Sequence, residues 1–310
     1  MARLQHTVTV AALDRCWFEE CAALLLDVVE STRTGPDGTL LEGGEPVPGV
    51  RLVKGRHLRA GARYTVTQDP APPTPGEAPQ APVETLTIGI REWRRSTAIA
   101  VEQRVASADA VGRVTLRLRT PDRPSGLEAR CTLRDPAGGF LRRISGRARI
   151  DLAAWWAAVA APAGALPAAR PPVSARARHP LGRADLSIAV RPAGDGARKA
   201  GTDGRKAGAD GRKAGADGRK AGADGRKAGA GVWEVGVTVA VRGRALLRPP
   251  AALVLLLFRV PLKRAFRQGI DETAARWNEV VEAGLPSPEE LRAEFTEAVV
   301  TRNPGEAGPG

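Results

Sequence analysis

Val232-Trp233-Glu234-Val235-Gly236-Val237-Thr238-Val239-Ala240-Val241-Arg242 is the stretch on which the fold class turns. Trp233, Val235, Val237, Val239 and Val241 alternate with Glu234, Gly236, Thr238, Ala240 and Arg242, a period of two that sends one set of side chains to a core and the other to water, as in a half-buried strand. Upstream the pattern recurs. Val114, Leu116 and Leu118 alternate with Arg113, Thr115, Arg117 and Arg119, and Ala129, Cys131 and Leu133 alternate with Glu128, Arg130, Thr132 and Arg134. Leu186, Ile188 and Val190 form another such set, as do Leu86, Ile88 and Ile90, with shorter candidates at Val50–Val53, Arg63–Thr67 and Thr97–Gln103 and an opening strand at Gln5–Ala12. Such a succession, mostly without helical crossovers, reads as an antiparallel meander of about seven or eight strands with one wet face. The arginines fall on that wet face, where solubility is the simplest role for them.

Between the strands lie segments of a different kind. Residues 195–231 repeat Asp-Gly-Arg-Lys-Ala-Gly-Ala from Asp203, Asp210, Asp217 and Asp224. The seven-residue period is no coiled coil, because the unit offers only alanine to a seam and each glycine costs ~1 kcal/mol in a helix; a solvated low-complexity loop is expected. Asp69–Pro82 and Pro162–Pro180 are proline-rich and read as loops, and 303–310 as a tail. Of the net charge of +13, the repeat carries the smaller part; outside it the basic residues are arginines apart from Lys54 and Lys263. That Arg, Ala, Gly and Pro bias is what GC-rich coding produces, so nucleic acid is not the expected partner. The longest apolar run, Ala251–Phe258, is too short to span a bilayer, no secretory signal is visible at Met1–His6, and only Cys16, Cys21 and Cys131 are available as thiols. A cytoplasmic chain without a disulfide framework follows as the expectation.

Helices are expected near the two ends. Asp14 is placed to cap a helix running to about Val29, with Trp17, Cys21, Leu24, Leu25 and Val28 on one stripe. A long segment from Ala251 to about Ala283, broken near Pro261 and closed by Gly284, carries Phe266, Ile270, Ala274, Trp277 and Val281 on one side. Pro288–Val299 makes a short third helix, and Ile150–Ala161 an insert. The order of elements resembles the START-like (SRPBCC) helix-grip superfamily, which includes polyketide cyclases and birch pollen allergen relatives. The residues carrying the resemblance are His6–Ala12 with Asp14-Arg15-Cys16-Trp17, Leu58 to Tyr64, Trp93-Arg94-Arg95-Ser96, and Trp233 through Arg248-Pro249 to Trp277-Asn278. The resemblance implies an α+β fold in which a curved antiparallel sheet of about seven strands wraps a long C-terminal helix. It implies one domain over 5–285, interrupted by the 195–231 repeat, with 286–310 as a C-terminal helix and tail. It also implies a hydrophobic small molecule, lipid or polyketide-like, held between sheet and helix, with Tyr64, Ile88, Leu116, Val237, Val239 and Phe266 as candidate cavity residues.

Signals for chemistry are sparse. His6, His57 and His179 stand apart from one another, no Cys-x-x-Cys or His-Glu-x-x-His spacing is present, and neither a metal nor a cofactor is expected. A cyclase or dehydratase reaction, the alternative to plain binding, would need a donor such as Tyr64, the sole tyrosine, to polarise a carbonyl. A basic module for nucleic acid or anionic membrane is the third possibility.

Overall fold

The computed structural model describes residues 2–67, 85–106, 111–135, 143–162, 170–193, 231–243 and 259–300. The 195–230 repeat, the whole of Asp69–Pro82, the first part of the long C-terminal segment and the tail lie outside them.

One antiparallel sheet of thirteen strands organises the chain. Its strands are β1 (Ala2–Ala11), β2 (Arg33–Thr34), β3 (Thr39–Glu42), β4 (Glu45–Lys54), β5 (Arg63–Thr67), β6 (Thr85–Arg94), β7 (Ala98–Ala106), β8 (Val111–Arg119), β9 (Gly126–Arg134), β10 (Arg143–Asp151), β11 (Val173–His179), β12 (Gly182–Pro192) and β13 (Val232–Gly243). Among the described residues four helices accompany them: α1 (Arg15–Ser31), α2 (Leu152–Val159), α3 (Arg259–Glu282) and α4 (Pro288–Val300). The strands from β2 to β13 pair in chain order, and β1 closes the series by pairing with β13, from Ala2 opposite Val241 to Ala11 opposite Val232.

This order puts β1 and β2 on opposite edges, although only α1 separates them in sequence. Seventeen helical residues span about 25 Å at about 1.5 Å each, whereas thirteen strands laid flat at about 4.8 Å spacing would set the edges nearly 60 Å apart. The sheet therefore curls until its edges stand within reach of α1. Asp14 caps that helix, its carboxylate accepting from the Trp17 amide at 2.8 Å, as the sequence indicated. The N-terminal part of α1 places Phe18 against Trp156 of α2, which joins Trp155, Trp233, Val190 and Ala12 in one apolar cluster. The C-terminal part meets the other half of the sheet. Arg95, in the β6–β7 turn, bonds Asp27 and lies 3.4 Å from Glu30 of α1 and 2.7 Å from Asp122, and the Trp93 indole donates to Glu30 at 2.8 Å. A second cluster of Ala62, Tyr64 and Ile90 lies under Leu40, Val50, Leu52, Ile88, Trp93 and Val101.

The fold differs from a helix-grip of about seven strands. Thirteen strands are present, and the long helix is not wrapped by them: α3 lies along the free edge of β1. Asn278 accepts from the Ala11 amide at 2.7 Å and donates to the Thr9 carbonyl at 3.3 Å, and the Trp277 indole donates to the Ala11 carbonyl at 2.9 Å. These are edge groups that β13 cannot reach, so α3 satisfies and shields an edge strand. Trp277, expected in the core, is 37% exposed. The Pro162–Pro180 stretch, read as a loop, contains β11.

Two substitutions in α3 test this placement by urea unfolding. Asn278→Ala leaves the Ala11 amide without its partner and lowers stability by about 1–2 kcal/mol. Gly269→Ala, in the exposed interior of the helix with open space around its Cα, raises it by about 0.5–1 kcal/mol.

Candidate functional site

The register sorts the side chains of β8–β13 onto two faces. On one face Thr115, Arg130, Arg147, Arg176, Asp185 and Ala240 are successive cross-strand partners. The next row towards the α1 end is Arg117, Glu128, Arg149, Ser174, Ser187 and Thr238. The row on the other side runs Arg104, Arg113, Thr132, Ser145, Arg178, Arg183 and Arg242. Neighbouring strands are about 4.8 Å apart, so Arg130, Arg147 and Arg176 form a comb of guanidinium groups.

The carboxylates of this face are already engaged. Asp185 accepts from Arg176 Nε at 2.5 Å and Arg183 Nε at 2.7 Å. Glu102 accepts from Arg91 at 2.5 Å and Arg104 at 2.6 Å, and Glu128 bonds Arg119. Partial burial pushes the carboxyls of Asp185 and Glu102 up, but the arginine hydrogen bonds outweigh it and hold both below the usual carboxylate range. Among the described residues the side chains of Arg130, Arg147 and Arg242 make no ion pair or hydrogen bond, and Arg176, bonded through Nε, keeps both terminal nitrogens unengaged. Like charges directly opposite one another on antiparallel strands are destabilising, so the Arg130–Arg147–Arg176 comb is an unfavourable arrangement in the absence of an anion.

These groups surround a hollow of about 610 Å³, open to solvent, lined by Arg130, Arg147, Arg149, Arg176, Arg242, Glu128, Asp185 and Ser174, with Ala129, Ala148, Ala175, Leu186 and Ala240 completing its wall. The volume falls within the range of small-molecule sites. Guanidinium forks bind phosphate and carboxylate bidentately, and such charge-assisted bonds are about twice as strong as neutral ones. The hollow can therefore hold an anion and orient it. No group of three or more His, Cys, Asp or Glu among the described residues could hold a metal ion.

The residues expected to line a ligand cavity are not brought together. Tyr64 and Ile88 are cross-strand partners in the Ala62–Ile90 cluster. Leu116 lies half-buried on the apolar face of β8, Val237 (buried) and Val239 (half-buried) are on β13, and Phe266 is half-buried on α3. The Tyr64 hydroxyl has a structural task. Thr32, at the end of α1, donates its hydroxyl to the Val29 carbonyl at 2.7 Å and so accepts from His57 Nε2 at 3.0 Å. His57 Nδ1 is then the acceptor for the Tyr64 hydroxyl at 2.9 Å, whose oxygen accepts from the Leu58 amide at 2.9 Å. That amide belongs to a residue with φ of 52°, so the chain of bonds fixes a left-handed turn against the end of α1.

The arginine comb was missed in the sequence because β10 and β11 were. Their inward positions hold Gly146, Ala148, Ala175 and Ala177, too small to give a clear apolar beat, and without those strands Arg147, Arg149 and Arg176 have no place on a face. The beat Arg147-Ala148-Arg149 and Ala175-Arg176-Ala177-Arg178 was the available signal.

No family model, curated protein or solved structure matches the chain. Nothing there identifies the START-like superfamily, and the reading of the hollow rests on its geometry.

Burial pushes His57 below its ordinary value of 6.5. The unfolded chain then takes up a proton before the folded one, so stability is full above about pH 6.5, falls as the pH drops through that value and levels off once folded His57 is protonated. Thermal melts between pH 7.5 and 5 should show this fall, and His57→Gln should flatten it.

Proposed function

We propose that the protein binds a small molecule carrying two or more anionic groups, phosphate or carboxylate, in the hollow on its arginine face. The observation that carries this reading is the comb of Arg130, Arg147 and Arg176 on adjacent strands, with Arg130 and Arg147 unpaired among the described residues. Evenly spaced guanidiniums favour an extended polyanion over a single charge, and a bound anion relieves their mutual repulsion. Asp185 has a positioning role: it holds Arg176 by Nε and leaves the terminal fork directed to the ligand. Guanidiniums and ionised carboxylates bind and orient, so binding without turnover is the simplest activity of such a site.

A second reading, a hydrophobic small molecule on the opposite face, is favoured by Val114, Leu116, Leu118, Leu127 and Ile188, which are only half-buried there. Nucleic acid is the third. The arginine rows would meet its backbone, but they interleave no aromatic side chain for bases to stack on.

Titration calorimetry with tripolyphosphate tests the first reading. Saturable one-to-one binding that weakens with salt is expected, together with a rise in melting temperature. Arg147→Ser should cut affinity about tenfold or more, while stabilising the unliganded protein by up to about 1 kcal/mol through lost repulsion. Arg117→Ser, outside the hollow and paired with Glu92 at 3.1 Å, should bind normally. Absence of saturable binding, or equal binding by Arg147→Ser, overturns the reading.

A further inference from the structure

Exposed large apolar side chains are not scattered over the sheet. Val111 is 46% exposed, Leu133 47%, Ile144 43% and Leu181 44%, whereas Val53 is the one other strand residue of this kind among the described residues. The four converge on one end. Val111 begins β8 opposite Arg134, the last residue of β9; Leu133 is the cross-strand partner of Ile144 at the start of β10; Leu181 sits in the Pro180-Leu181 turn joining β11 to β12, next along the same end. This is the end away from α1, which meets the sheet at Trp93, Arg95 and the Trp156–Trp233 cluster. Val53 lies towards the α1 end.

Arginines ring the apolar tip. Arg134 and Arg143 are direct cross-strand partners beside Leu133 and Ile144, and Arg178, Arg183 and Arg242 form a continuous row beside Leu181. Of these, Arg143, Arg178 and Arg242 have no carboxylate partner among the described residues. Exposed branched aliphatics grouped together cost free energy in water, and with arginines around them they match the layering of an anionic bilayer surface: phosphate at the headgroup level, acyl chain just below it.

We propose that this end of the sheet docks on an anionic membrane, with Leu133, Ile144, Val111 and Leu181 entering the interfacial layer and the surrounding arginines bonding lipid phosphates. The tip shares only Arg242 with the hollow, whose Arg130, Arg147 and Arg176 lie further along the strands, and either proposal can fail without the other. No helix among the described residues is long and apolar enough to cross a membrane, and the attachment proposed is a peripheral one through the tip. A few short side chains give shallow insertion, and the charge contribution makes it dependent on anionic lipid and on salt.

The test is flotation of the full chain with vesicles of phosphatidylcholine, with or without 30% phosphatidylserine. Retention on the phosphatidylserine vesicles alone is expected, weakened but not abolished between low and moderate salt. Leu133→Ser with Ile144→Ser should reduce the retained fraction at least tenfold, and Val53→Ser should leave it unchanged. Leu181→Asp, in an exposed turn, is the second variant should the paired change impair folding, and it should lose retention likewise; its fold is checked by its melting curve. Retention that is absent, equal on both vesicles, or unchanged in the folded tip variants overturns the proposal. So does a wild-type dimer that Ile144→Ser converts to monomer with no vesicle retention, since the tip would then be a contact between copies.

Discussion

The structure depends on a constraint of length. A helix of about 25 Å joins strands that belong to opposite edges of a thirteen-stranded sheet, so the sheet has to curl, and everything else is arranged around that closure. The two ends of α1 are fixed by different means: aromatic packing of Phe18 against Trp156 at one end, and at the other the Arg95 ion pairs and the Thr32–His57–Tyr64 chain of hydrogen bonds. The first supplies bulk apolar burial, which is tolerant of angle. The second supplies directional bonds, which are not. A helix held in this way sets the distance between the halves of the sheet and, with it, the curvature of both faces.

Much of this was legible in the sequence where side chains are large. The Trp233–Val241 alternation gave a strand that the structure extends by a residue or two, the Asp14 cap and Gly284 closure lie where the spacing put them, and the helix from Pro288 is present. Legibility failed where the signal depended on bulk. The middles of β10 and β11 present glycine and alanine to the inner face, and β2 and β3 are too short to show a period. The undercount in turn supported a resemblance to a smaller sheet wrapped on a helix. Pairing partners, unlike strand propensity, are set by contacts between residues far apart in the chain, and no local pattern indicates that Arg130, Arg147 and Arg176 are adjacent.

The arginine face shows how such adjacency changes chemistry. Arg147 in isolation is a solvated charge. Between Arg130 and Arg176 it belongs to a row whose repulsion is offset only in part, because the nearby Asp185 is shared by Arg176 and Arg183. The carboxylates hold some guanidiniums still and leave others open, which is preorganisation for an anion and not neutralisation of the surface.

The pairing of β1 with β13 also governs the order in which the protein can be assembled. The first strand made has its only sheet partner more than two hundred residues later, and its other edge is satisfied by Trp277 and Asn278 later still. At roughly 5–20 residues per second, synthesis leaves β1 without either neighbour for some tens of seconds at the slower rates. Strands β2 to β12 can meanwhile pair in sequence, each new strand finding the last one formed. The sheet is thus completed at one edge by its oldest segment, and that pairing is the longest-range contact between strands in the fold.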